Sequence, residues 1–129
     1  MVSAETTNDI QVSVISEFHT IEKVTSLDQF IFHYHIEIEN QGNFTVQLLS
    51  RKWVIVDAHG TQRIVEGMGV VGEQPILEPG ETHKYSSSCL LPSPFGKMWG
   101  TYLFERRLDG QQFKVKIPEF KLEVPYLLS

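Results

Sequence analysis

Gly67, Gly69 and Gly72 stand at the spacing of a dinucleotide-binding G-x-G-x-x-G, inside the run E-G-M-G-V-V-G-E-Q-P-I-L-E-P-G from Glu66 to Gly80. That fingerprint works when its last glycine opens a helix, so that free N–H groups and the helix dipole face a pyrophosphate. Here Glu73 and Gln74 lead straight into Pro75, with Pro79 and Gly80 close behind. Two prolines and a glycine leave no room for a helix. Two readings stay open. The glycines shape a long connection or bulged edge strand, with Val70 and Val71 plugging the core. Alternatively, a helix-free nest of N–H groups around Gly67, Gly69, Gly72 and Glu73 holds a small anion such as pyrophosphate or a nucleotide. Arg51 would then supply a planar donor fork as counter-charge; otherwise it occupies an edge or outer-face position beside a core Trp53. A stiff exposed loop can also serve as a contact for a partner protein.

His33-x-His35 is the weaker chemical candidate. On a strand both rings leave the same face, as a two-histidine metal chelate requires. A closed site needs two further ligands, and no spacing ties His19, His83, Cys89 or any acid to the pair. The plainer alternative is a pair of solvent-facing histidines, and no metal or cofactor is expected. Cys89 follows three serines with no adjacent histidine or basic cluster, which fits a buried structural thiol. Ser86, Ser87 and Ser88 lack the elbow of a hydrolase serine. Nothing assembles nucleophile, base and orienter, so the chain reads as non-catalytic. Trp99 is different: alternation through Met98, Gly100, Tyr102 and Phe104 leaves it on the opposite face. An outward tryptophan is a candidate protein-interaction anchor.

Strands must position these residues. Phe30, Phe32, Tyr34, Ile36 and Ile38 alternate with Ile31, His33, His35 and Glu37, a period of two over nine residues. Ile10 to Phe18 alternates more weakly, and Phe44 to Val56 is a long apolar strand interrupted by Ser50, Arg51 and Lys52. Asp57-Ala-His-Gly60 reads as a turn, with Thr61 to Val65 returning as its partner strand. Thr82 to Leu91 and Lys97 to Leu108 are further strands, and Asp109-Gly110 is a hairpin turn into Phe113, Val115 and Ile117. Pro118 breaks that run before Phe120, Leu122 and Val124 resume it, which predicts a bent strand at a sheet edge. Seven or more strands and no helix predict an antiparallel β-sandwich of immunoglobulin-like size.

The 129 residues suit one domain, with only residues 1–8 expected to be loose. Hydrophobic residues at 41% and charged residues at 21% are ordinary globular usage, so disorder is not the default. The net charge is −5, and the basic residues are dispersed along the chain, with Arg51-Lys52 and Arg106-Arg107 the densest pairs. That argues against a nucleic-acid platform. A single cysteine fits a reducing compartment. The first ten residues show no signal pattern, and no apolar run approaches the ~20 residues of a membrane span, so a cytoplasmic protein is expected.

Val46 to Gly60 (V-Q-L-L-S-R-K-W-V-I-V-D-A-H-G), Gly69 to Pro75 (G-V-V-G-E-Q-P), the P-G-E of Pro79 to Glu81, Tyr85 to Cys89, Pro94 to Tyr102 (P-F-G-K-M-W-G-T-Y) and Phe113 to Phe120 together resemble the ApaG family. The resemblance runs roughly from Ile10 to Pro125. It implies a fibronectin-III-like or immunoglobulin-like sandwich. Bacterial members are small stand-alone proteins linked by phenotype to cobalt tolerance and magnesium efflux. Related domains in eukaryotic F-box and other multidomain proteins look like protein-interaction modules. Spacing alone has suggested a pyrophosphate site at the glycine loop. The expected partner is an unidentified protein, or a second copy in a homodimer joined through an exposed strand edge or the Trp99 face. Two positions depart from the pattern: Ser87-Ser88 stands where Ser-Gly is usual, and Met68 where an acidic residue is common.

Overall fold

A computed structural model describes residues 2–24 and 26–125. Nine strands account for most of them: β1 (Ser3–Thr7), β2 (Ile10–Val24), β3 (Leu27–Asn40), β4 (Val46–Asp57), β5 (Gln62–Met68), β6 (Ile76–Leu77), β7 (Thr82–Leu91), β8 (Phe95–Arg106) and β9 (Gln112–Glu123). They form two antiparallel sheets packed as a sandwich, one in the order β1-β2-β3-β7 and the other β5-β4-β8-β9, with β6 also paired to β4. Phe32, Tyr34, Ile36 and Ile38 face inward from β3, as the alternation predicts. Across from them Trp53, Tyr102, Phe104, Phe120 and Leu122 complete the core. Rings interlock at the centre: Tyr34 and Trp53 lie 5.4 Å apart edge to face, and Trp53 and Phe120 5.9 Å.

The expected turns form. Asp57 Oδ1 accepts from the N–H groups of His59 and Thr61, and Gly60 takes φ 81°. Gly110, at φ 72°, turns β8 into β9 and donates to the Arg106 carbonyl.

The N-terminus departs from expectation. Ser3–Thr7 is an ordered strand rather than a loose segment, because Asn8 and Asp9, at φ 49° and 64°, close a two-residue hairpin onto β2. Thr7 and Asn8 then reach the other sheet: Asn8 Nδ2 donates to the Lys114 carbonyl and Thr7 Oγ1 accepts from the Lys116 N–H. Ser16 Oγ donates to the Lys121 carbonyl further along. One long side of the sandwich is thereby closed by bonds from β1 and β2 to β9.

Two bulges set the directions that matter below. In β4, Leu48 pairs with Phe104 and Ser50 with Leu103, leaving Leu49 as an extra residue. The inward set therefore switches from Val46 and Leu48 to Arg51, Trp53 and Ile55. In β9, Ile117 pairs with Gly100 and Phe120 with Met98, so Pro118 and Glu119 together oppose Trp99. Pro118 bends this edge strand without ending it, since a bulged residue needs no ladder N–H.

Candidate functional site

Arg51 sits directly opposite Tyr102, a fully buried inner-face residue, so it points into the sandwich rather than away from it. Its Nη1 donates to the carbonyls of Met68 and Gly69, at 3.1 and 3.0 Å. The guanidinium lies over Gly67, its partner across β4 and β5. The sequence leaves Arg51 either as counter-charge to an anion at the glycines or as an edge residue; in the fold it lies against the glycines and engages loop carbonyls.

The glycine segment is a tight hairpin. Val70 and Glu73 bridge each other through both backbone bonds, at 2.7 and 3.0 Å. Between them Val71 and Gly72 both have positive φ, 47° and 77°, the signature of a type I′ turn. Gly69, at φ 63°, passes so close to Glu73 that an added Cβ would stand 2.3 Å from its carbonyl oxygen. The N–H groups of Gly69, Val70 and Glu73 all donate to backbone carbonyls. Val70 is fully buried, whereas Val71 is 63% exposed at the tip and does not plug the core, because the turn aims it outward. Glu73 reaches across to β7, with its Oε2 3.8 Å from His83 Nε2.

His33 and His35 project from the outer face of the sheet containing β3. The extra residue His19, at a bulge in β2, lays its ring 4.3 Å from that of His33. His35 is held by Ser86 Oγ at 2.6 Å and Glu17 Oε1 at 3.1 Å. Among the described residues no group of three or more His, Cys, Asp or Glu side chains could hold a metal ion. Ser88, opposite His33, is an ordinary strand residue with no positive φ.

The side of the sandwich opposite the β1–β9 closure is open. There β5 and β7, an edge of each sheet, border a cleft of about 320 Å³. Trp53, Met98 and Ile55 floor it, and Arg51, Arg63, Ser87 and Cys89 stand at its walls. Arg63 Nη2 spans the opening to the Leu90 carbonyl at 3.0 Å and lies 3.7 Å from Cys89 Sγ. Burial pushes the Cys89 thiol up to about 11, against the pull of Arg63, so it is a neutral core group. Burial likewise raises Tyr34, Tyr85 and Tyr102, while Arg51 pulls the other way. The hydroxyls of Tyr85 and Tyr102 bond each other across the two sheets. Arg63 and Ser87 carried no signal in the sequence, because only the meeting of two sheet edges makes them neighbours.

Trp99 lies half-buried on the outer face of the second sheet, as expected. It pairs with Val54, which pairs with Ile64, so three apolar side chains cross three strands in one row. Lys52, Lys97, Lys114, Lys116 and Lys121 lie around that row on the same face, with Glu66 paired to Lys52 at 3.8 Å. Basic residues dispersed along the sequence are therefore gathered by folding. The alternation of Lys114 and Lys116 was the one visible hint of it. Lys97 Nζ lies 5.6 Å from the Trp99 ring and 3.5 Å from Glu119. Among the described residues Lys114, Lys116 and Lys121 make no ion pair, and no helix is long and apolar enough to cross a membrane.

The ApaG domain family model matches residues 21–106. Protein ApaG of Maricaulis maris is 45% identical over 90% of this chain and 88% of its own length. Protein ApaG of Paramagnetospirillum magneticum is 44% identical over 95% and 94%. Among solved structures, a structural-genomics target superposes with a TM-score of 0.89 at 37% identity, over 93% of this chain and 90% of that one. A Bordetella pertussis protein gives 0.84 at 42% identity, over 91% and 94%. With the sandwich, the hairpin and these matches in agreement, the chain belongs to the ApaG family.

Proposed function

We propose that this ApaG domain is a non-catalytic interaction module that docks an acidic protein partner on the outer face of the β5-β4-β8-β9 sheet. The observation that carries the reading is the Ile64–Val54–Trp99 row ringed by five lysines in a chain of net charge −5. An apolar centre with an aromatic anchor and a charged rim is the anatomy of a protein interface. Lys97 and Lys121 pair directly opposite each other, an arrangement that costs stability and that a binding face would retain. Lysines without arginine favour a carboxylate-rich polypeptide over the bidentate phosphate contacts of nucleic acid. The protein acts in the reducing cytoplasm, where the lone Cys89 stays a thiol. The cobalt and magnesium phenotypes implied by the family are read as downstream of that contact. Anion capture by the glycine hairpin is the weaker reading, since three of its amides already donate to carbonyls.

Nuclease-treated lysate passed over immobilised wild type, Trp99→Ala and Lys114→Glu/Lys116→Glu tests the reading. The expected result is an acidic partner held by the wild type and lost by both variants. Equal retention by all three would sink it, and material held only from a lysate that has not been nuclease-treated would transfer the face to nucleic acid.

A further inference from the structure

The cleft between β5 and β7 has a chemistry that the Trp99 face does not use. Its two cations, Arg51 and Arg63, come from different strands of one sheet and face hydroxyls and a neutral thiol on the other. No Asp or Glu lines it, although the chain carries sixteen acids. Asp9 and Glu66 line other surface depressions, the second of them shared with Arg51 and Lys52. Each guanidinium offers five N–H donors in a planar fork. Arg51 commits only Nη1 to protein carbonyls, and Arg63 only Nη2. Among the described residues, Nε and the other terminal nitrogen of each have no acceptor. Two positive charges with donors to spare and no carboxylate lining the cleft they share are set up for an oxyanion.

The floor supplies the other half of the ligand. Trp53, Met98 and Ile55 form a buried apolar base, and Val65, 37% exposed above Trp53, is the apolar surface a ligand meets first. A cavity of about 320 Å³ is at the lower end of small-ligand sites, large enough for one ring with its head group. The opposite long side of the sandwich is shut by the bonds of Thr7, Asn8 and Ser16 to β9, so this is where a ligand can enter between the sheets.

We propose that the β5–β7 cleft binds a small organic oxyanion, a carboxylate or phosphate monoester on a flat apolar body, with the head group on Arg51 and Arg63 and the body against Val65 over the buried Trp53. Ser87, paired with the inward Tyr34, lies at the rim on β7, where its hydroxyl can add a further donor. The assignment is independent of the interaction face, which lies on the other side of the same sheet.

Heteronuclear NMR titration of the full chain with phenyl phosphate, benzoate, inorganic phosphate and benzylamine tests it. Phenyl phosphate or benzoate should saturably shift the Trp53 indole, the Ser87 and Ser88 amides and the Arg63 Nε resonance. The stronger of the two identifies the head group. Inorganic phosphate should bind at least about tenfold more weakly, for want of an apolar body. Benzylamine, with the charge reversed, should not bind. Arg63→Gln should weaken the aryl anion by about tenfold, the loss expected for one charge-assisted hydrogen bond. Should that variant fail to fold, Arg63→Lys removes the fork while keeping the charge, and its affinity should fall as well. No saturable shift by about 10 mM ligand, equal binding of benzylamine, or shifts confined to the lysine face would each overturn the proposal.

Discussion

The guanidinium of Arg51 occupies the space a side chain at Gly67 would need, with Nη1 2.7 Å from the position of an added Cβ. The first glycine of the G-x-G-x-x-G spacing is thus matched to an arginine within the same sheet. Gly67 has no positive φ, so its requirement is one of room alone. Gly69 and Gly72 answer a different need, the left-handed backbone of the hairpin. A spacing that imitates a nucleotide fingerprint here has two separate local causes.

That distinction predicts unequal substitutions. Gly67→Ala displaces the far end of a flexible side chain and should change stability by no more than about 1 kcal/mol, the worth of the Arg51 bonds it disturbs. Gly69→Ala meets the Glu73 carbonyl oxygen at 2.3 Å in a conformation alanine resists. It should cost about 3 kcal/mol. Urea unfolding of the two variants separates these outcomes.

Val71 is a β-branched residue at φ 47°, where such side chains are strained. Asparagine tolerates that angle and is the favoured residue before glycine in a type I′ turn. Val71→Asn should therefore stabilise the protein by about 1 kcal/mol, seen as a rise in melting temperature. Because Val71 is largely exposed, no core contact is lost.

Alkaline conditions should destabilise the fold. Burial raises the Cys89 thiol from 9.0 to about 11 and raises Tyr34, Tyr85 and Tyr102 above their ordinary 10.0. Above pH 9 the unfolded chain releases these protons while the native state keeps them, so stability falls as pH rises. From pH 9 to 11 Cys89 alone should account for about 2 kcal/mol of that fall. Cys89→Ala should flatten the curve across this window, measured by urea unfolding at successive pH values.

Asn40 is buried and holds three partners: Nδ2 donates to the Phe44 and Leu77 carbonyls, and Oδ1 accepts from the Gly42 N–H. It ties the end of β3 to β6 and to the loop entering β4. Asn40→Ala strands these groups and should cost about 2–3 kcal/mol. The check is the denaturant midpoint, with an unchanged slope.

Lys114→Glu/Lys116→Glu, by contrast, should leave the melting temperature nearly unchanged, since both lysines are exposed and unpaired among the described residues. Partner binding on that face should weaken steeply with added salt, as steering by surface charge does. Calorimetry of the isolated partner at two ionic strengths would read both effects.

Much of the frame was legible. Alternation from Phe30 to Ile38 names the inward residues of β3, and Thr82 to Leu91 matches β7 end for end. Pro118 was legible as a bend at an edge strand. Less visible was β1, because Asn8-Asp9 closes its hairpin without a glycine to announce it. The two-residue β6 is too short to show any period. The direction of Arg51 stays open in the sequence, edge or outer face against counter-charge to the glycine loop, because it depends on Leu49, a bulge created by pairing with β8.

By itself the sequence determined the sheet-only architecture, the inward residues of each regular run and the turns at Gly60 and Gly110. Each of these rests on chemistry local to a few neighbours, the two-residue pleat or a single φ angle. Tertiary structure alone decided that Arg51 faces the core, that Arg63 meets Ser87 across a cleft, and that scattered lysines ring Trp99. Those depend on register, and one extra residue in a ladder reverses the face of everything after it.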